Sequence, residues 1–261
     1  MSIVKISFIL FIAIYLGVIL YLYLTQRDKI FHFSIVEKAE PKVLKNCLKC
    51  KKVKLEVKDG LLDGVYLDNN SSRLIIYFGG NSDDATDFLE IIKNIKGFNA
   101  VAFNYRGNAL SKGVPSEITL YEDALKIYDK FAKNKEVYII GRSLGSGVAT
   151  YLASKRECKK LLLITPYDSI ENVAKEKYPI FPISLLLKYK FNSKNYIEKV
   201  EAPIIIFMVK EDKTVSNKRT NNLIKHIKGN YTLKIFEHTT HADILSDKTF
   251  IKELKTVISD L

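Results

Sequence analysis

From about residue 53 to the end of the chain, short apolar segments alternate with segments that have the hydrophobic spacing of helices. The strand-like segments are Val53–Val57, Val65–Leu67, Leu74–Phe78, Ala100–Phe103, Val137–Ile140, Leu161–Thr165, Ile204–Val209 and Leu233–Phe236. The helical patterns fall around residues 83–95, 119–133, 143–155, 217–227 and 246–259. This alternation predicts an α/β fold with a mostly parallel sheet of eight strands and helices on both faces. Short turns join the first strands, which we therefore expect to be antiparallel.

The segment VYIIGRSLGSGVATYLA, residues 137–153, places Ser143 between a buried strand and a helix. Gly141 and Gly145 have no Cβ, so they allow a tight turn and a close approach of neighbouring backbones. A Gly-x-Ser-x-Gly sequence in a strand–turn–helix context indicates a nucleophile elbow, which exposes the serine hydroxyl at the carboxyl edge of the sheet. The alternative is a glycine-rich turn in which Ser143 only caps the helix.

A nucleophilic serine requires a general base, and the base requires an acid that orients it. In a fold with a nucleophile elbow these groups follow in the order Ser, Asp or Glu, His, each on a loop after a strand. Asp212 follows the seventh strand and His241 lies in the last loop, so they are the predicted acid and base. His238 competes with His241, while Glu211 and Asp168 compete with Asp212.

Acyl transfer also requires donors for the developing oxyanion, and each donor contributes about 3–4 kcal/mol. The first predicted donor is the backbone N–H of Leu144, which follows the nucleophile. The second is the N–H of Asn81 in the segment LIIYFGGNSDD, between an early strand and its helix.

Composition limits the other chemistries. The formal net charge is +12, but the lysines are spread along the chain without a recognisable nucleic-acid module, so we expect no nucleic-acid partner. Cys47 and Cys50 have the spacing of a metal or redox pair, yet no second pair or nearby histidine completes a zinc site. We therefore predict no metal and no cofactor, and a Cys47–Cys50 disulfide stays open.

The segment IVKISFILFIAIYLGVILYLYL, residues 3–24, is long enough to span a hydrocarbon core of about 30 Å. A cleaved signal peptide is the alternative, but this segment is longer than a usual signal core and lacks a small-residue cleavage site. We predict an uncleaved single-pass anchor over residues 1–26, a linker over 27–50 and the folded domain over 51–261. The flanking charges leave the side of the membrane open.

Residues 166–200 interrupt the alternation of strands and helices with Pro166, Pro179 and Pro182 and a cluster of apolar side chains. An insertion at this place predicts a lid over the strand ends. Phe181 and Leu185 are the predicted acyl-binding residues of that lid. The alternative is an ordinary crossover helix with one buried face.

From about residue 50 the chain resembles the α/β-hydrolase superfamily, and most of all the membrane-anchored α/β-hydrolase domain-containing proteins of the type-thirteen kind and their bacterial relatives. The matching stretches are YFGGN (77–81), NYRG (104–107), PSE (115–117), GRSLGSGVA (141–149), TPYDSI (165–170), APIIIFMVKEDKTV (202–215) and HADIL (241–245). The resemblance implies the α/β-hydrolase fold, a single N-terminal anchor, the triad Ser143, Asp212 and His241, and oxyanion donors at Asn81 and Leu144. Two departures, Gly79 and Asn108-Ala109, bear on substrate preference.

Together these features predict a membrane-anchored serine hydrolase that cleaves carboxyl ester or thioester bonds of acyl or lipid-like substrates through an acyl-enzyme. Such an enzyme resembles carboxylesterases, lipases and thioesterases. The alternatives are a serine peptidase of related fold and a catalytically silent binding protein. Because the resemblance includes bacterial relatives, we expect the protein to lie in the inner membrane of a bacterium. The oligomeric state is open.

Overall fold

The computed structural model of the chain describes residues 3–33, 36 and 38–260, and its centre is one eight-stranded sheet. The strands are β1 (Cys50–Val57), β2 (Gly60–Leu67), β3 (Arg73–Phe78), β4 (Asn99–Phe103), β5 (Glu136–Arg142), β6 (Lys160–Ile164), β7 (Ile204–Val209) and β8 (Tyr231–Phe236). Their order across the sheet is β1-β2-β4-β3-β5-β6-β7-β8. The pairs β1–β2 and β2–β4 are antiparallel and the other five are parallel. The predicted sheet and its antiparallel start are confirmed.

Helices cover both faces of this sheet. In the described part of the chain they are α1 (Ile3–Ile30), α2 (Phe88–Ile92), α3 (Glu117–Phe131), α4 (Leu144–Ala153), α5 (Ile170–Lys177), α6 (Ile183–Leu186), α7 (Ser193–Ile197), α8 (Asn217–Ile224) and α9 (Lys248–Ser259). Apolar side chains of α3, α4 and α8 pack on one face of the sheet. Those of α2 and α9 pack on the other face. Because strands β3 to β8 are parallel, their carboxyl ends lie along one edge, where sites form in sheets of this kind.

The segment after β3 differs from the helix expected over residues 83–95. It forms a single 3-10 turn at Ala85–Asp87 and then the short helix α2. The carboxylate of Asp84 accepts the Thr86 N–H, and the side-chain oxygen of Asn104 accepts the Ala85 N–H. These side-chain acceptors replace the helical carbonyls, so a regular helix starts only after the turn.

Helix α1 continues beyond the apolar segment that the sequence marks. Within the described residues it is the one helix long and apolar enough to cross a membrane. The predicted linker would begin at residue 27, but the helix runs to Ile30, and Phe31 and Phe33 are buried in the core of the domain. Positions 1, 2, 34, 35, 37 and 261 of the predicted segments lie outside the described residues.

Residues 166–200 form a succession of short helices between β6 and β7, as the three prolines predict. Ser169 caps α5 by accepting the Asn172 N–H, and Pro179 and Pro182 lie in the break before α6. Both α6 and the break pack beside α1. These short helices therefore lie on the same side of the domain as α1.

The cysteines have two different states. Cys47 and Cys50 are joined by a disulfide, the state that the sequence left open. Cys158 is free, and burial raises the pKa of its thiol to about 12. A thiol with that pKa is protonated at neutral pH and is a poor nucleophile.

Candidate active site

Ser143 lies at the turn between β5 and α4 in an unusual backbone conformation, with φ 49° and ψ −118°. Such a conformation costs about 1–3 kcal/mol for a residue with a side chain, so the surrounding packing must enforce it. A Cβ on Gly141 would collide with the Gly145 carbonyl, and a Cβ on Gly145 would collide with the backbone of Phe78. The two glycines therefore allow strand, helix and the end of β3 to meet, as the sequence predicts.

The predicted nucleophile, base and acid form one continuous chain of hydrogen bonds. The Nε2 of His241 lies 2.9 Å from the Oγ of Ser143, and its Nδ1 lies 2.6 Å from the Oδ2 of Asp212. The other oxygen of Asp212 accepts the backbone N–H groups of Thr214 and Val215, each at 2.8 Å. The carboxylate is thereby fixed with one oxygen toward the imidazole. The side chains of His241 and Asp212 are only 11% and 3% exposed.

The residues that compete with this assignment lie elsewhere. Asp168 is fully buried in a separate polar cluster, where it accepts hydrogen bonds from Asn172 and Asn222 and pairs with Arg219 at 3.0 Å. Glu211 and His238 have exposed side chains, and neither is in hydrogen-bond contact with Ser143 or His241 in the described structure.

The predicted oxyanion donors lie on the two segments that meet at the elbow. Leu144 is the first residue of α4, and the N–H groups of the first helical turn have no partner within the helix. Asn81 follows Gly80 in the loop after β3, whose backbone touches Gly145. Within the described residues the Asn81 N–H donates no hydrogen bond. Their role as oxyanion donors stays a prediction.

Side chains that follow β4 hold in place the loop after β3, residues 79–85, which carries the predicted donor Asn81. We call this loop the oxyanion loop. The hydroxyl of Tyr105 donates to the Gly79 carbonyl at 3.0 Å. Asn104 contacts the loop twice, through Ala85 and through the carboxylate of Asp84. These contacts give the stretch NYRG a structural role that the sequence alone did not reveal.

Arg142, directly before the nucleophile, connects three parts of the site and was not singled out from the sequence. Its Nη1 contacts both carboxylate oxygens of Asp83, and its Nη2 donates to the carbonyl of His241 at 2.7 Å. Asp83 in turn accepts the Gly80 N–H at 2.7 Å. Burial lowers the pKa of Arg142, but the charge and hydrogen bonds of Asp83, together with the nearby Tyr77 and Asp212, more than offset this effect, so the pKa lies above its usual value. The charged guanidinium of Arg142, which is 7% exposed, thus joins the oxyanion loop to the loop that carries His241.

The two residues predicted to contact an acyl chain lie away from these loops. The ring of Phe181 stacks on Tyr15 of α1, with centroids 5.4 Å apart. Leu185 is 86% exposed. Within the described residues no hydrogen bond or ring contact links either side chain to the triad, so their acyl contact stays a prediction.

The two departures from the family pattern lie on the loops that build the site. Asn108 donates its side-chain N–H to the Asp83 carbonyl at 2.8 Å. Ala109 has φ 46°, a region that favours glycine. Gly79 lies against Ala85, and a Cβ on Gly79 would lie 3.2 Å from the Cβ of that alanine.

Within the described residues, no group of three or more His, Cys, Asp or Glu side chains could hold a metal ion.

Known proteins resemble the chain in sequence and in structure, although no protein-family model matches it. It is 28% identical over 177 residues to lysophosphatidylserine lipase ABHD12 of Macaca fascicularis, an alignment that covers 56% of this chain and 43% of the relative. A solved α/β hydrolase from Vibrio vulnificus superposes with a TM-score of 0.71 and 19% identity over 90% of this chain and 92% of that one. The esterase Pf2001 of Pyrococcus furiosus superposes with a TM-score of 0.66 and 21% identity over 86% of this chain and 95% of that one.

The order of the strands and these structural neighbours define the α/β-hydrolase fold. The sequence relatives support an assignment of the chain to the α/β-hydrolase superfamily. The chain spans less than half of the length of the curated lipase that it matches. The narrower likeness to the type-thirteen proteins stays a prediction.

Proposed function

We propose that the protein is a membrane-anchored serine hydrolase that cleaves carboxyl ester or thioester bonds of lipid-like acyl substrates. The observation that carries this proposal is the chain of contacts from the Ser143 Oγ through His241 to Asp212, at 2.9 Å and 2.6 Å. Distances of this length allow a proton to pass between nucleophile and base.

In the first half of the reaction the Oγ of Ser143 attacks the acyl carbonyl while the Nε2 of His241 takes its proton. Asp212 keeps the Nδ1–H of the imidazole directed at its carboxylate and stabilises the imidazolium that forms. The backbone N–H groups of Asn81 and Leu144 bind the oxyanion of the tetrahedral intermediate. The imidazolium then gives its proton to the leaving alcohol or thiol, and the acyl group remains on Ser143.

In the second half of the reaction a water molecule replaces the leaving group. His241 takes a proton from this water, whose oxygen attacks the acyl carbonyl, and a second tetrahedral intermediate uses the same oxyanion donors. Its collapse breaks the bond to the Oγ, which regains a proton from His241. The products are the free acid and the original enzyme.

The proposed substrate is a lipid in the membrane that α1 would span. Helix α1 would be the anchor, and residues 166–200, which pack against it, would be the lid. Several curated relatives are named as lipases of lysophosphatidylserine, a lipid with one acyl chain. We therefore propose an acyl ester of a single-chain lipid as the first substrate class to examine.

Two other functions fit the fold less well. A serine peptidase of related fold would hold the amine of a peptide with an acidic pocket, but the buried Asp168 near the lid is already paired with Arg219. A catalytically silent binding protein would not need the proton-transfer geometry between Ser143 and His241.

Labelling with a fluorophosphonate tests the proposal, because this reagent reacts only with an activated serine. The wild type should be labelled and Ser143→Ala should not. Ser154→Ala is the matched control: this serine also lies at an end of α4, but its hydroxyl donates to the Tyr151 carbonyl. Labelling of Ser143→Ala at the wild-type rate would exclude Ser143 as the nucleophile.

A further inference from the structure

An uncharged segment of the lid lies against the N-terminal helix. We call residues 178–187, YPIFPISLLL, the lid tip. Lys177 and Lys188 flank it on either side. At its base Glu171 accepts the hydroxyl of Ser184 at 2.8 Å, and Lys175 and Lys190 pair with this carboxylate at 2.6 Å and 3.4 Å. A segment of ten residues without a charge has the composition of a buried or lipid-facing element.

The lid tip contacts α1 at two separate levels. At one level the Tyr15 hydroxyl donates to the Ile180 carbonyl at 2.9 Å, and its ring stacks on Phe181. At the other level Gln26 donates to the Leu186 carbonyl at 3.2 Å and accepts the Lys188 N–H at 2.7 Å. With a rise of 1.5 Å per residue, Tyr15 and Gln26 lie about 16 Å apart along α1. The lid tip therefore runs along the helix rather than touching it at one point.

The interfacial side chains of α1 indicate where a membrane surface would cross this contact. Helix α1 has 28 residues, whereas a hydrocarbon core of about 30 Å needs only about 20. The excess lies at its carboxyl end, where Lys29 lies over the ring of Tyr21 and Lys188 lies over the ring of Tyr23. Tyrosine and lysine side chains favour the headgroup level. Tyr15 then lies about 12 Å deeper than Tyr23 along the helix.

The outer face of the lid tip is apolar and uncovered. Ile180 is 72% exposed and Leu185 is 86% exposed, and within the described residues nothing packs over either side chain. The exposed face adjoins α1, whose apolar side chains are also exposed, at the contact of Tyr15 with Ile180 and Phe181. A surface that joins a membrane helix at the depth of its hydrocarbon segment fits acyl chains rather than water.

We propose that the lid tip is inserted into the lipid bilayer beside α1, with Ile180 and Leu185 among the acyl chains. This inference rests on the anchor of the proposed function, because it requires α1 to span the membrane. The contacts with α1 then hold the lid tip in the hydrocarbon.

The backbone of the lid tip is suited to this location. Pro179 and Pro182 have no N–H to leave unpaired, and the Ile180 carbonyl is bonded to Tyr15. The N–H groups of Leu185 and Leu187 donate to carbonyls within the tip. Each such bond avoids a cost of several kcal/mol for a polar group exposed to hydrocarbon.

The chain contains no tryptophan, so a single introduced tryptophan reports its own environment. Ile180→Trp and Leu185→Trp are made in full-length Ser143→Ala protein, so that hydrolysis of the lipid plays no part. Each variant is placed in phosphatidylcholine vesicles with and without bromine on the acyl chains. Ile235→Trp on the exposed side of β8 is the water reference, and Leu10→Trp on α1 is the membrane reference.

We expect Ile180→Trp and Leu185→Trp to be blue-shifted and to lose most of their fluorescence in brominated vesicles, as Leu10→Trp does, while Ile235→Trp is unaffected. If Leu10→Trp alone is quenched, α1 spans the membrane but the insertion of the lid tip is refuted. If none is quenched, the anchor and the insertion both fail. Quenching absent at the tip together with cross-linking between tips would assign the apolar face to a second copy of the chain and would also refute the proposal.

Discussion

The carboxyl edge of the sheet and the junction of α1 with the lid tip hold their side chains in different ways. At the edge, polar side chains from different loops bond to one another, as His241 does to Asp212 and Ser143. At the junction, side chains of α1 bond mainly to backbone groups of the lid, as Tyr15 and Gln26 do. The edge is buried, while the junction leaves apolar side chains exposed.

This difference determines how far each region depends on residue type. A proton relay needs a hydroxyl, an imidazole and a carboxylate, so substitutions at the edge remove atoms that no neighbour can replace. A backbone carbonyl accepts a hydrogen bond from any donor that reaches it, and an apolar surface tolerates changes of shape. We therefore expect large losses of activity from substitutions at the edge, and small local effects at the junction.

The largest expected effect comes from His241→Ala, which removes the proposed general base. Turnover should fall by about 10⁴–10⁶-fold, as it does when a triad member is lost. His238→Ala is the matched control, because His238 lies three residues earlier in the same loop with an exposed side chain. Steady-state rates on a soluble short-chain ester compare the two. A crippled His238→Ala beside an active His241→Ala would reverse the assignment of the base.

An intermediate effect is expected from Arg142→Lys, which keeps the charge but cannot reach Asp83 and the His241 carbonyl together. A displacement of about 1 Å in the reacting groups costs up to about 100-fold, so kcat should fall by about 10- to 100-fold with little change in KM.

Arg106→Lys is the control for this variant, because Arg106 forms a comparable buried pair with Asp123 at 2.7 Å. It should lower the melting temperature by a similar amount and leave kcat nearly unchanged. If both variants reduce kcat in proportion to their loss of stability, Arg142 has no specific role in positioning the triad.

Much of the fold, and the contact of Ser143 with His241 and of His241 with Asp212, could be predicted from patterns in the sequence. The alternation of strands and helices predicts the parallel sheet, and the glycines around Ser143 predict the elbow that the structure contains. His241 and Asp212 could be proposed because the order of the chain places them after particular strands of such a sheet.

The remaining features depend on contacts between distant segments. Arg142 lies 59 positions from Asp83 in the sequence. No local sequence pattern indicates which carboxylate such an arginine will bind. The contact of Tyr15 with Ile180 spans 165 positions and uses a backbone carbonyl, which every residue has. The polar residues after the apolar segment do not reveal that α1 continues to Ile30, or that Gln26 is buried where it bonds to Leu186 and Lys188 of the lid.

The smallest expected effect comes from Gln26→Leu at the junction. Leucine retains the packing volume but removes both the bond to the Leu186 carbonyl and the acceptor of the Lys188 N–H. The Lys188 N–H is partly buried and loses its acceptor, which costs about 1–2 kcal/mol, so this amide should exchange its hydrogen about 10-fold faster. The global melting temperature and the rate on a soluble short-chain ester should change little. Thr25→Val is the control, because the Thr25 hydroxyl bonds only to the Tyr21 carbonyl within α1. Equal exchange of Lys188 in both variants would show that Gln26 does not hold the lid tip against the helix.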